Sequence, residues 1–95
     1  MNESATWREY KENGSEELRE ALILHYAPLV RNLAKGMHFK LPAVIEYADL
    51  VSYGFLGLLD AIERYDPDKG IDFKAYAKMR INGAIIDGVR SEKRL

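Results

Sequence analysis

Residues 49–90, DLVSYGFLGLLDAIERYDPDKGIDFKAYAKMRINGAIIDGVR, decide the fold, because they read as two helices joined by a reversal at Asp66-Pro67-Asp68-Lys69-Gly70. Proline presets φ at the start of such a turn, and glycine supplies the positive φ where the chain reverses. Before the turn, Leu50, Gly54, Gly57, Leu58, Ala61 and Tyr65 recur at helical spacing. After it, Ala77, Ile81, Ala84, Ile85 and Gly88 form a second stripe. Gly54 and Gly57 each lower helix propensity by up to about 1 kcal/mol relative to alanine. They belong where another helix crosses at close range. Charge divides at the same turn: residues 49–72 hold six acids and two bases, net −4, and residues 73–95 hold six bases and two acids, net +4. The second half is suited to a polyanion and the first is not.

Working outward, Asp49 is expected to cap a third helix running to about Arg64, and Asp72 a fourth from Phe73 to about Ser91. Upstream, Ser15 caps a helix with Glu16 and Glu17 in its first turn, where the dipole favours acids. Its stripe is Leu18, Leu22, Tyr26, Leu29, Leu33 and Met37, and Pro28 inside it predicts a kink or a fresh helix start. Residues 38–47, with Pro42, read as a loop or a short helical turn. Ser4 to Asn13 reads as a short peripheral helix carrying Trp7 and Tyr10 and ended by Gly14. The expected fold is all-α, a compact bundle of about four helices. Residues 1–14 are expected as a lead-in helix and 15–95 as the domain proper.

A chain of 95 residues is one domain. With 47% hydrophobic and 31% charged residues it has a globular composition. There are no cysteines, which excludes disulfides and thiolate metal sites and fits a reducing cytoplasm. No apolar run approaches the roughly 20 residues of a membrane span, and the polar start MNESATWREYKENG is no signal peptide. His25 and His38 sit at no metal-ligand spacing, and no glycine-rich phosphate loop or nucleophile elbow occurs. Neither an enzyme, a cofactor nor a membrane partner is expected.

Two surfaces are left over from the packing stripes. On the third helix, Phe55, Leu56 and Leu59 lie away from the glycines, beside Ser52, Asp60 and Glu63. A helix apolar on both sides is either buried all round, here under the N-terminal helix, or offers a face to a partner. The flanking acids favour a basic partner helix. On the fourth helix, Phe73, Tyr76, Arg80, Gly83, Asp87 and Arg90 follow at spacings of 3, 4, 3, 4 and 3, which puts them on one face. Aromatic rings stack on unpaired bases. Arginine can take guanine O6 and N7 together, and aspartate can accept from the cytosine amino group. Lys74 and Lys78 flank the face and suit phosphates. The competing reading is a solvated charged face with its two aromatics tucked into the core.

The strings LHYAPLVRNLA, DLVSYGFLGLLDAIERYDP and DFKAYAKMRINGAIIDGVRS, spread over residues 18–91, resemble region 2 of a bacterial RNA polymerase sigma factor of the flagellar and sporulation class. The resemblance implies a domain that docks on core RNA polymerase and recognises and melts the promoter −10 element. By position, it implies docking on a coiled coil of the largest polymerase subunit through Asp49, Ser52, Tyr53, Phe55 and Leu59. It implies capture of the non-template strand by the fourth helix. Phe73 and Tyr76 match strand-opening aromatics, and Arg80, Asp87 and Arg90 match positions linked to −10 sequence choice. Lys74, Lys78 and Asn82 complete the expected DNA set. Three departures stand out. Met79 and Arg80 stand where primary sigma factors have two tryptophans, Asn82 where many flagellar-class members have arginine, and Ser52 where other groups have glutamine. An anti-sigma factor is the further expected partner. The alternative function is a protein-interaction module alone, serving as the docking target of that inhibitor.

Overall fold

The α3 helix, Tyr47–Arg64, and the α4 helix, Phe73–Ser91, fold back on each other as an antiparallel pair. The computed structural model describes residues 2–92 and adds α1, Glu3–Asn13, and α2, Glu16–His38. Lys93 and Arg94, two of the six bases counted above, lie outside the described residues. The reversal holds one turn of 3-10 helix, Pro67–Lys69, closed by Gly70 at φ 73°. The Asp66 carboxylate accepts from the Asp68 N–H at 2.9 Å and sets this turn locally. The all-α bundle is as expected.

The glycines explain how closely α3 and α4 cross. A Cβ on Gly57 would lie 2.7 Å from the Arg80 carbonyl oxygen and 2.8 Å from the Ile81 Cα, so backbone rests on backbone. Gly54 leaves room for Val30 of α2, whose Cγ1 would be 2.9 Å from an added Cβ. Gly88 sits under the ring of Tyr53. Around these contacts Leu22, Val30, Leu50, Leu58, Ile62, Ile81 and Ile85 are fully buried, joined by Ile45 from the loop between α2 and α3.

The caps agree with local chemistry at most ends. Ser15 accepts from Leu18 N–H and Asp72 from Ala75 N–H, while Gly14 takes φ 61° after α1. Two expectations are corrected. The α3 helix begins at Tyr47 after Glu46, so Asp49 is in its first turn and not its cap. There its charge still faces the positive end of the helix dipole. Of the two outcomes expected at Pro28, the fresh start does not occur, because α2 continues through it. A proline at 28 costs the Leu24 carbonyl its helical partner, but Leu24 is exposed, so water can replace the lost donor.

The α1 helix is less peripheral than its polar sequence suggests. Trp7 and Tyr10 are buried in the main core. Lys11 Nζ donates to the carbonyls of Ile62 at 3.2 Å and Glu63 at 3.0 Å, satisfying acceptors left open at the end of α3. Tyr26 of α2 donates to the Glu3 carboxylate at 2.6 Å. Burial, followed by that hydrogen bond, pushes the Tyr26 phenol well above its ordinary value.

Candidate functional site

The two expected surfaces meet in one groove. Leu56, Gly57 and Asp60 of α3 form one wall, and Met79, Arg80, Gly83, Ala84 and Asp87 of α4 form the other, around about 230 Å³ of open space. Leu56 is 64% exposed and Met79 72%, so the apolar rim is uncovered on both helices. Gly83 has no atom within 4 Å of where a Cβ would be, which leaves the α4 wall low at its middle.

Asp60 ties the walls together. One carboxylate oxygen accepts from Arg64 Nε at 2.7 Å, and the other accepts from an Arg80 terminal nitrogen. The Arg64 hydrogen bond, with that of Arg80 adding to it against some desolvation, holds the Asp60 carboxyl below its usual range. Asp87 lies exposed further along the same groove.

The expected docking residues differ in exposure. Ser52 is exposed, and its hydroxyl donates to the Ala48 carbonyl at 3.1 Å. Phe55, Leu59 and Asp49 are half-buried, with Phe55 packed against the core. Tyr53 lies over Gly88, and its hydroxyl donates to the Glu92 carboxylate, so it secures α3 to α4. Leu56, which is not in the expected docking set, is the most exposed large hydrophobic of α3.

On α4, Phe73 departs from the expected face. It is 1% exposed, with ring centroids 4.7 Å from both Trp7 and Tyr26 and 5.0 Å from Tyr65. The aromatic box closes over it and leaves no surface for a base, so its assignment as a stacking residue is corrected. Tyr76 is half-buried against Tyr65, at 6.0 Å between centroids. Lys74, Lys78 and Arg90 are exposed, and Asn82 is half-buried. Met79, noted only as a departure, is the exposed apolar side chain beside Arg80.

Residues 22–95 match the family described as Sigma-70 region 2. The relative "RNA polymerase sigma factor FliA" of Pseudomonas aeruginosa is 40% identical over 90 residues, covering 95% of this chain and 36% of that protein. "RNA polymerase sigma-D factor" of Bacillus subtilis is 41% identical over 86 residues, covering 90% and 34%. The chain therefore spans about a third of the length of these curated relatives. Among solved structures, "Cocrystal structure of the flagellar sigma/anti-sigma complex, Sigma-28/FlgM" superposes with a TM-score of 0.67 at 42% identity, covering 78% of this chain and 32% of that one. The family match takes in most of α2 and all of α3 and α4, the helices that build the groove, and the chain belongs to the Sigma-70 region 2 family.

Proposed function

We propose that this chain is the part of a flagellar-class sigma factor that docks on core RNA polymerase through α3 and reads and opens the promoter −10 element through α4. The observation that carries the reading is the uncovered groove, apolar on its α3 rim at Leu56 and edged on α4 by Met79, Arg80 and Asp87. Leu56, with Phe55, Leu59, Ser52 and Asp49 around it, is the docking patch for a coiled coil of the largest subunit. Tyr53 supports that patch from beneath. Tyr76 and Met79 supply apolar surface to unstacked bases, while Arg80, Asp87 and Arg90 supply directional hydrogen bonds. Lys74, Lys78 and Asn82 face phosphates. The action is binding without covalent chemistry: unstacking costs a few kcal/mol and is offset by stacking and phosphate contacts.

Because the relatives are sigma factors, the site of action is the cytoplasm, where polymerase and promoter meet. The likeness to a sigma protein solved with FlgM supports an anti-sigma inhibitor as a further partner. The test captures the chain on core RNA polymerase and then titrates single-stranded and duplex −10 DNA of varied sequence. The expected result is core-dependent preference for the single non-template strand. Equal affinity for duplex of every sequence would reduce the DNA reading to electrostatic adsorption.

A further inference from the structure

We infer that Asp60 is a positioning residue for Arg80: in the free chain its carboxylate holds the Arg80 guanidinium against α3, and a cation on the docking partner that takes over this carboxylate releases Arg80 to the DNA. The inference rests on the docking and DNA readings of α3 and α4 given above, and it adds a physical link between them.

Three observations carry it. Asp60 has both oxygens engaged, one by Arg64 and the other by Arg80, so two guanidinium groups share one negative charge. The side chains of Asp60, Arg64 and Arg80 are 32%, 66% and 43% exposed, and ion pairs that open to water are weak and exchange readily. Asp60 also lies one helical turn after Leu56, on the same flank of α3 and in the same groove. A basic helix that covers Leu56 therefore reaches Asp60.

The local charges give the link its direction. Asp60 and Asp87 line the groove beside Arg80, and Arg64 reaches the same Asp60 carboxylate. A nucleic-acid strand approaching the free chain meets the exposed Asp87 and an arginine that is already occupied. Covering Asp60 with a partner's cation frees the arginine. Arg64 works the other way within the chain, because it draws on the charge that holds Arg80.

The test measures affinity for a short single-stranded −10 oligonucleotide by anisotropy at fixed salt, with the chain free and with it bound to core RNA polymerase. Asp60→Asn keeps the shape and removes the charge. It is expected to raise free-chain affinity by about two- to five-fold, the range set by an exposed ion pair. The gain on adding core should shrink by a similar factor. Arg64→Gln should shift free-chain affinity in the opposite direction, and that shift should vanish in the Asp60→Asn background. This second variant also guards against a folding defect in the first. An unmoved core-dependent gain in Asp60→Asn, or a fall in its free-chain affinity, overturns the inference alone. Wild-type DNA binding by Arg80→Ala, free and on core, overturns the DNA reading of α4 and the inference with it.

Discussion

The first turn and the middle of α4 are built on opposite devices. At its first turn, Phe73 is enclosed by Trp7 of α1, Tyr26 of α2 and Tyr65 after α3, so three separate segments spend aromatic area on one ring. In its middle, α4 meets α3 at glycines, where side chains have been removed to let backbones touch. The first device consumes an aromatic that would otherwise suit base stacking. The second buries little side chain and leaves Arg80, Gly83 and Asp87 open beside α3. The difference teaches that a helix can hold its fold at one end and present its chemistry from the next turns on, even when both sets of residues share one helical repeat.

The largest expected effect would break the comparison at the aromatic end. Phe73→Ala should cost about 3–5 kcal/mol, the usual range for deleting a core phenylalanine. That is a large share of the roughly 5–15 kcal/mol available to a small domain. Urea unfolding followed by circular dichroism measures it. A loss below about 1 kcal/mol would mean that the ring is not structural, and would return Phe73 to the stacking set.

Next in size is the crossing. Gly57→Ala places a methyl against backbone atoms that have no rotamer to relax, so a cost of about 1–3 kcal/mol is expected. Gly83→Ala, with open space at the same kind of substitution, should instead stabilise by up to about 1 kcal/mol through helix propensity. Both are read in the same unfolding experiment. Opposite signs support the close-crossing account, and a stabilising Gly57→Ala would end it.

The third prediction separates opening from reading along the exposed part of α4. Tyr76→Ala should slow opening by a similar factor at every promoter, because stacking accepts any base and is worth about 1–3 kcal/mol. Asp87→Ala should relax preference at one or two base pairs, by about 1–3 kcal/mol per position, without a uniform loss. Open-complex formation by a complete factor on single-base promoter variants distinguishes them. If Tyr76→Ala reorders the promoters while Asp87→Ala lowers all of them alike, the roles are reversed.

What the sequence disclosed was what local chemistry controls. Ser15, Asp72, Gly14 and Gly70 act within a few residues of themselves, and their roles could be read from their neighbours. The glycine stripe was legible because a costly residue repeated at helical spacing implies a close neighbour. Phe73 as core was legible only as the competing reading of that helix face. Its spacing to Tyr76 and Arg80 is compatible with one exposed face, and only the arrival of Trp7, Tyr26 and Tyr65 from other segments closes it. The Asp60–Arg80 pair was hidden for a similar reason, since the crossing of α3 and α4 fixes which side chains meet. Leu56 had a visible signal, but position on a helix wheel does not reveal which of three neighbouring apolar residues stays uncovered.

The smallest expected effect returns to the aromatic end, where Glu63 fastens α1. One Glu63 oxygen accepts from the Tyr10 hydroxyl at 2.8 Å and from Arg19 Nε at 3.0 Å. The Tyr10 hydrogen bond first, and Arg19 second, hold the Glu63 carboxyl below its ordinary value of 4.5. A carboxyl lowered by folding stabilises the fold fully above its unfolded value, and that contribution fades as pH falls from there through the lower folded value. The Glu63 side chain is 56% exposed, so the contribution should stay below about 1 kcal/mol. The expected consequence is loosening of α1 in acid ahead of the α3–α4 pair. Trp7, the sole tryptophan of the sequence, reports on it by fluorescence during an acid titration from neutral pH. Glu63→Gln keeps an acceptor without the titrating charge, and should remove the part of the change that begins just below pH 4.5. Lys11, which holds backbone carbonyls of α3, should keep α1 partly docked in both proteins. An acid transition identical in wild type and Glu63→Gln would mean that Trp7 and Tyr10 hold α1 by burial alone, making the aromatic end still less dependent on charge than the groove.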